Sequence, residues 1–244
     1  MTNDDGIFAP GINALAKELS KYHDVVMIAP ESQRSGFSHK ISVDVPLRVE
    51  KVELEDLAVE AYRSDGSPAD CARLGLHWLV GEKFDAVISG INQGSNIGTD
   101  ILYSGTCGAA MEAAMKNVPA LAVSLNCYRG GNFALAAKVA ARVIESGILS
   151  DIPAGVCLNL NVPNVDDDDL KGVKWVRHGY NVLAELVRPT DEGCTFVGLA
   201  REGKQVEFLD DFTALDDGYA TITPIDLDLN AMDELVRLGA KYTF

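Results

Sequence analysis

Asn3-Asp4-Asp5-Gly6, at the head of a chain of 244 residues, sets two adjacent carboxylates on a glycine turn. Carboxylate oxygens are the hard ligands that Mg²⁺ and Mn²⁺ select, and glycine lets the backbone turn sharply enough to present both side chains at one edge. Three further stretches carry donors of a compatible kind. Ser32-Gln33-Arg34-Ser35-Gly36-Phe37-Ser38 combines hydroxyls, a guanidinium and a glycine, as a phosphate or metal pocket requires. Ser89-Gly90-Ile91-Asn92-Gln93-Gly94-Ser95-Asn96-Ile97-Gly98 offers neutral amide oxygens and close backbone approach. Its likeness to Gly-x-Gly-x-x-Gly is loose, so it is poor evidence for dinucleotide binding. Tyr103-Ser104-Gly105-Thr106-Cys107-Gly108 leads into an alanine-rich segment, where the free N–H groups of a helix start would receive a phosphate. Singly, each stretch reads equally well as a loop or a cap; jointly they are better explained as a phosphate site of the Mg²⁺ type.

The elements that must position these loops alternate in kind. Residues 7–20 place Ile12, Leu15, Ala16 and Leu19 at spacings of three and four, a helix that starts directly after the carboxylates. Residues 24–30 form an apolar run ended by Pro30, the pattern of a buried parallel strand. Ser67 caps and Pro68 opens a helix running through Leu74, Leu76, Trp78 and Leu79. Strands follow at 84–89, 120–124 and 156–160, the last two separated by an alanine-rich helix ending near Gly147. This alternation predicts an α/β fold with a doubly wound, mostly parallel sheet. The donor-bearing loops then share the C-terminal edge of the sheet, where such folds bind ligands.

The texture changes beyond Asn164. The expected organisation is a catalytic core over 1–164, a β-rich extension over 165–229 with hairpin-like segments at 173–176 and 182–187 and a strand at 218–224, and a C-terminal helix within 230–244. The acidic run 166–169 reads as a solvated loop. Only Met1 and Thr2 precede the carboxylate motif, whereas a strand usually needs about five or six residues. The expectation is an incomplete start or a first strand replaced by another segment; a missing central strand would leave Asp4 poorly anchored.

Composition limits the function classes. With 21 basic against 36 acidic residues the net charge is -15, which repels polymeric nucleic acid but leaves room for a nucleotide held by a local metal and helix N-termini. A hydrophobic content of 47% is ample for a core. The five cysteines form no Cys-x-x-Cys pair, as expected of reduced thiols in the cytoplasm. Neither a membrane span nor a signal peptide is readable, so no membrane partner is expected.

Asn3-Asp4-Asp5-Gly6 with Ala9-Pro10-Gly11, Ala29-Pro30 with Arg34-Ser35-Gly36, Gly66-Ser67-Pro68-Ala69-Asp70-Cys71, Ser89-Gly90-Ile91-Asn92-Gln93-Gly94-Ser95-Asn96 and Tyr103-Ser104-Gly105-Thr106, taken in order, resemble the SurE family of survival-protein nucleotidases. Thr221-Ile222-Thr223-Pro224 is similar to the family's late strand. The resemblance implies a Rossmann-like core, a β-rich extension used in assembly as a homodimer or homotetramer, and metal-dependent release of phosphate from nucleoside monophosphates. It implies one divalent metal ion, Mg²⁺ or Mn²⁺, on Asp4, Asp5, Ser35 and Asn92, with Asp4 and Asp5 catalytic. Asn96, Ser104, Gly105 and Thr106 match positions of the phosphate pocket. Relatives begin with a short apolar strand before the Asn-Asp-Asp-Gly motif, and this chain departs from them there.

The reaction expected is in-line attack of water on phosphorus, with one aspartate handling the proton of the leaving nucleoside. Activity on 3′-nucleotides and on polyphosphate falls within the same expectation, since the motifs recognise phosphate and metal more clearly than any base. The alternative is a catalytically impaired relative that binds nucleotide without turnover. Trp175, Tyr180 and Phe196, in the extension, are aromatics available to stack on a base, though each reads more readily as a core or interface residue. None of His23, His39, His77 or His178 stands at metal-ligand spacing.

Overall fold

The computed structural model describes residues 1–79, 83–182, 185–198, 202–203 and 209–241. In chain order the elements are α1 (Pro10–Leu19), β1 (Val26–Pro30), β2 (Val49–Leu54), β3 (Leu57–Ser64), α2 (Pro68–Leu74), β4 (Val87–Gln93), α3 (Gly105–Met115), β5 (Ala120–Asn126), α4 (Phe133–Glu145), β6 (Val156–Pro163), β7 (Val173–Trp175), β8 (Asn181–Val182), β9 (Glu185–Thr190), β10 (Gly193–Gly198), β11 (Glu202–Gly203), α5 (Asp211–Asp216), β12 (Ala220–Asp226) and α6 (Met232–Lys241). The α/β architecture with a mostly parallel central sheet is the one expected.

Two ribbons make the central sheet, β2-β3-β1 and β4-β5-β6-β12-β7. β1 pairs parallel with β3, and β4, β5 and β6 pair parallel in turn, while β12 runs antiparallel to β6. Met1 and Thr2 lie between the ribbons. The Met1 carbonyl accepts from Ile28 N–H at 2.9 Å, Thr2 N–H donates to the Ile88 carbonyl at 3.0 Å, and the Thr2 carbonyl accepts from Gly90 N–H at 2.9 Å. These two residues thus pair with β1 on one side and β4 on the other, in the place where the central strand was missed. Below them lies a small cavity lined by Val26, Ile28, Ala72, Leu76 and Val87. The Met1 α-amino group donates to the Val26 carbonyl at 2.6 Å, and burial pushes its pKa down to about 5.

Helices cover both faces, as parallel strands buried on two sides demand. α1 and α4 put Leu15, Leu19, Leu135 and Val139 against Leu121, Val123, Leu158 and Leu160. On the opposite face the small residues Ala110, Ala113 and Ala114 of α3 pack against Ala120, Ala122 and Cys157. α2 starts as its sequence dictates: the Ser67 hydroxyl accepts from Asp70 N–H, and the Asp70 carboxylate accepts from Ser67 N–H, a reciprocal capping box followed by Pro68. Beyond Leu74 this helix passes into a π turn over Gly75–Leu79.

Three features differ from the sequence reading. The β2–β3 hairpin was missed because its residues alternate with charges, as in Val49-Glu50-Lys51-Val52-Glu53-Leu54. That is the signature of a half-exposed strand, not of the uninterrupted apolar runs that mark the other core strands. Secondly, within the stretch 165–229, β7 and β12 pair with the core sheet, and β9 with β10 forms a separate hairpin. Lastly, the short α5 has no apolar stripe long enough to read in advance. Among the described residues, no helix is long and apolar enough to cross a membrane.

Candidate active site

The turn carrying the two carboxylates is fixed by its own asparagine. Asn3 Nδ2 donates to the Gly6 carbonyl at 2.9 Å and Asn3 Oδ1 accepts from Gly6 N–H at 3.2 Å, with Gly6 at φ +106°, a conformation glycine adopts freely. The Asp4 carbonyl accepts from Arg34 N–H at 2.6 Å, and its carboxylate accepts the Thr106 hydroxyl. Asp5 Oδ2 accepts from Gln93 N–H at 3.0 Å. Asp4 is therefore held from its own turn, from the loop after β1 and from the start of α3. The weak anchoring expected from the short N-terminal stretch is not what the structure shows, because Thr2 is paired to β4 immediately beside it.

The loop after β1 brings Ser35 to the same edge. It is pinned along its length: Arg34 Nη2 donates to the Asp65 carbonyl at 3.1 Å, Ser38 N–H to the Tyr103 carbonyl at 3.0 Å, and Ser42 N–H and Oγ to Asp70 at 2.8 Å each. His39 lies 2.9 Å from the buried Glu112 of α3. These bonds place the histidine in the support of the loop, away from the chemistry. At the end of β4 the register slips between Ser89 and Asn92, a bulge that re-aims the strand end. Asn92 Nδ2 donates to the Gly94 carbonyl at 2.7 Å, so Oδ1 is the end of that amide that could serve a cation.

Asp4, Ser35, Asn92, Asn96 and Ser104 line one cleft of about 570 Å³. Asp5 is not among its lining residues and is joined to it through the bond from Gln93 N–H. The loop 94–98 is held from beneath by two strand asparagines: Asn96 N–H donates to Asn161 Oδ1 at 2.8 Å, and Asn159 Nδ2 donates to the Asn96 carbonyl at 2.8 Å. Further along, the fully buried Asp211 accepts from Gly98 N–H and Gly179 N–H at 2.8 Å each and lies 2.9 Å from His178 Nδ1. The extension is thereby tied to the site loop. Sequence reasoning overlooked Asn159 and Asn161; the available signal was a pair of amides two residues apart, hence on one face, in an otherwise apolar core strand.

Gly105 and Thr106 are not among the residues lining this cleft. Both are buried, and the Thr106 hydroxyl is committed to Asp4. A Cβ at Gly105 would come 2.9 Å from the Asp4 Cβ, so glycine is what lets α3 approach the carboxylate. The helix start therefore supports Asp4. Ser104 caps α3 by accepting from Cys107 N–H at 3.0 Å and faces the cleft as well. Trp175 and Tyr180 are exposed but are not cleft residues, and the Phe196 side chain lies outside the described residues.

The donor chemistry fits a divalent cation. Burial pushes the Asp4 carboxyl up to about 6 against the pull of the Thr106 hydroxyl, and the neighbouring Asp5 adds to the rise. Burial raises Asp5 as well, opposed by Gln93 N–H and the Gln33 side chain. Among the described residues neither carboxylate has an ion-pair partner. Nor do three or more His, Cys, Asp or Glu side chains cluster as a metal-binding group there. Two carboxylates with the neutral oxygens of Ser35 and Asn92 would make an oxygen-only set, a donor chemistry that suits Mg²⁺ or Mn²⁺ better than Zn²⁺. The thiols take no part: Cys71, Cys107 and Cys157 are buried, which pushes all three up, the latter two to about 12.

Comparison with known proteins places this arrangement. The family description "Survival protein SurE" matches residues 1–185. The protein named 5′-nucleotidase SurE from Clostridium botulinum is 43% identical over 247 aligned positions, covering 98% of this chain and 97% of the relative. Its namesake from Clostridium beijerinckii is 41% identical, covering 93% and 92%. The crystal structure of the SurE protein from Aquifex aeolicus superposes with a TM-score of 0.84 at 33% identity, covering 98% of this chain and 97% of that one.

Proposed function

The chain belongs to the Survival protein SurE family, and from that premise we propose that its cleft hydrolyses nucleoside monophosphates to nucleoside and phosphate as a metal-dependent 5′-nucleotidase. The observation that carries this reading is the Asp4–Asp5 pair, buried or half-buried without a cationic side chain, beside the neutral oxygens of Ser35 and Asn92. Such a pair is costly unless a cation or a proton neutralises it. One divalent metal ion, Mg²⁺ or Mn²⁺, on these four residues would supply Lewis-acid withdrawal of charge from the phosphate.

The rest of the chemistry falls to the chain. Thr106 fixes the rotamer of Asp4 by its hydroxyl bond, and Gln93 N–H fixes Asp5. Asn96 and Ser104 face the cleft and orient the phosphoryl oxygens, in a transfer where catalysis is chiefly positioning and electrostatics. The alternative, nucleotide binding without turnover, drew its force from a poorly held Asp4, and the bonds to Arg34 N–H and Thr106 remove that motive. Activity on 3′-nucleotides and on polyphosphate belongs to the same reading, as does work in the cytoplasm. Assembly as a homodimer or homotetramer is supported by α6, whose Leu235, Val236 and Leu238 are exposed on the single chain.

The test is phosphate release from 5′- and 3′-nucleoside monophosphates and a short polyphosphate with Mn²⁺, Mg²⁺ or EDTA. The reading expects metal-dependent release with 5′-nucleotides among the substrates. Nucleotide binding without release under any metal would overturn it.

A further inference from the structure

The cleft changes character from its floor to its rim. Asp4, at the floor, is 4% exposed; Tyr103 and Tyr128, in the wall of the same cleft, are 61% and 64% exposed. Among the described residues they are the only aromatics lining it, and the other lining groups are small or polar. Both tyrosines are set by the site's own framework. The Tyr103 N–H donates to the Asp100 carbonyl and its carbonyl accepts from Ser38 N–H, both at 3.0 Å, so it is fixed between the short turn Gly98–Leu102 and the loop carrying Ser35. Tyr128 follows β5, and its ring lies so close to Gly94 that a Cβ there would come 3.0 Å from ring carbon Cε1. Gly94 is in turn joined to β5 through its N–H and the Leu125 carbonyl at 2.9 Å. One ring is thus carried beside Ser104 and the other against the loop of Asn92 and Asn96.

We infer that Tyr103 and Tyr128 are specificity-determining residues that take the base of a nucleotide substrate by stacking, an inference that rests on the nucleotidase reading above. A phosphate bound at the floor directs the remainder of the molecule toward the rim. A large ring exposed there has apolar surface that a flat heterocycle covers. Stacking tolerates every base because every base has a π face, and it favours the larger purine ring. The cleft therefore accepts nucleotides as a class, ranks purines above pyrimidines, and disfavours phosphomonoesters that lack a base.

The experiment compares adenosine 5′-monophosphate with ribose 5-phosphate, which keeps sugar and phosphate but lacks the base. It uses the full chain and its Tyr103→Ala, Tyr128→Ala, Tyr103→Phe and Tyr128→Phe variants with Mn²⁺. The ratio of kcat/KM for the two substrates is expected to fall roughly 5- to 150-fold in each alanine variant, through KM, and to be retained in each phenylalanine variant. An unchanged ratio in both alanine variants overturns the inference. If the wild-type chain releases phosphate from neither substrate, it is the nucleotidase reading that fails. Calorimetric binding of adenosine then decides the inference separately: weakening by Tyr→Ala but not by Tyr→Phe supports it, and equal affinity in all variants overturns it.

Discussion

Asn96 and Asn161 hold each other in both directions: the Asn96 N–H donates to Asn161 Oδ1 at 2.8 Å, and Asn161 Nδ2 donates to the Asn96 carbonyl at 3.0 Å. A side-chain amide on β6 thereby stands in for a strand partner, and the backbone of an irregular loop is satisfied in the protein interior. The same loop presents Asn96 to the cleft, so the rigidity of the sheet is transmitted to a residue that lines it.

Replacing Asn161 by leucine removes both bonds and orphans a buried N–H. The expected cost is about 1–3 kcal/mol in unfolding free energy, measured as a shift in urea midpoint. Displacement of the loop is expected to lower kcat for nucleotide hydrolysis by up to about 100-fold. Unchanged kcat in a folded Asn161→Leu variant would show that Asn96 needs no such support.

Thr106 acts through Asp4. Thr106→Val keeps the shape and deletes the hydroxyl, leaving the carboxylate without one of its fixed donors. The Mn²⁺ concentration for half-maximal phosphate release is expected to rise, by about 10-fold or more, and Thr106→Ser is expected to restore it. A direct phosphate contact predicts something else, a raised KM for nucleotide at saturating Mn²⁺ with the metal requirement unmoved.

Asp70 links the fold to pH. Burial raises its carboxyl, but hydrogen bonds from Ser42 N–H and Oγ and from Ser67 outweigh burial and hold it below the ordinary carboxylate range. A carboxylate depressed in the fold contributes its stability above its unfolded pKa, about 4, and loses it as pH falls through the folded value. Urea midpoints are therefore expected to drop below about pH 4. Asp70→Asn should cost about 1.5–3 kcal/mol at pH 7, the worth of hydrogen bonds to a charged group, and should flatten the acid limb of the curve. A wild-type acid limb preserved in the variant would assign that stability to other groups.

The parallel strands β1, β5 and β6 were legible because a strand buried on both faces is a nearly uninterrupted apolar run, as Ala120 to Val123 show. β3, parallel to β1 but alternating with charges, was not, and β4 lies at Val87–Gln93, about three residues later than read. The pairing of Met1 and Thr2 was not legible either, since two residues carry no periodicity and their place is set entirely by β1 and β4. At the site, Asp4, Asp5, Ser35 and Asn92 stood out by chemical type in strand-end loops, which is information a sequence holds. Which way Thr106 faces is a matter of helix packing against Asp4, and no local pattern records it. Tyr103 was read only as part of the Tyr103-Ser104-Gly105-Thr106 stretch, and Tyr128 was not singled out as a cleft residue. Their position in the loops at the C-terminal ends of parallel strands was the signal that should have drawn attention to them.

The central claim is that Asp4 and its neighbours hold a divalent cation used to hydrolyse nucleotides, and the most direct measurement is phosphate release from adenosine 5′-monophosphate across a Mn²⁺ titration, with the chain and its Asp4→Asn variant side by side. The account predicts release that rises with Mn²⁺, is abolished by EDTA, and falls at least about 100-fold in the variant. Release that survives EDTA, or an Asp4→Asn variant with the wild-type rate and metal requirement, would contradict it.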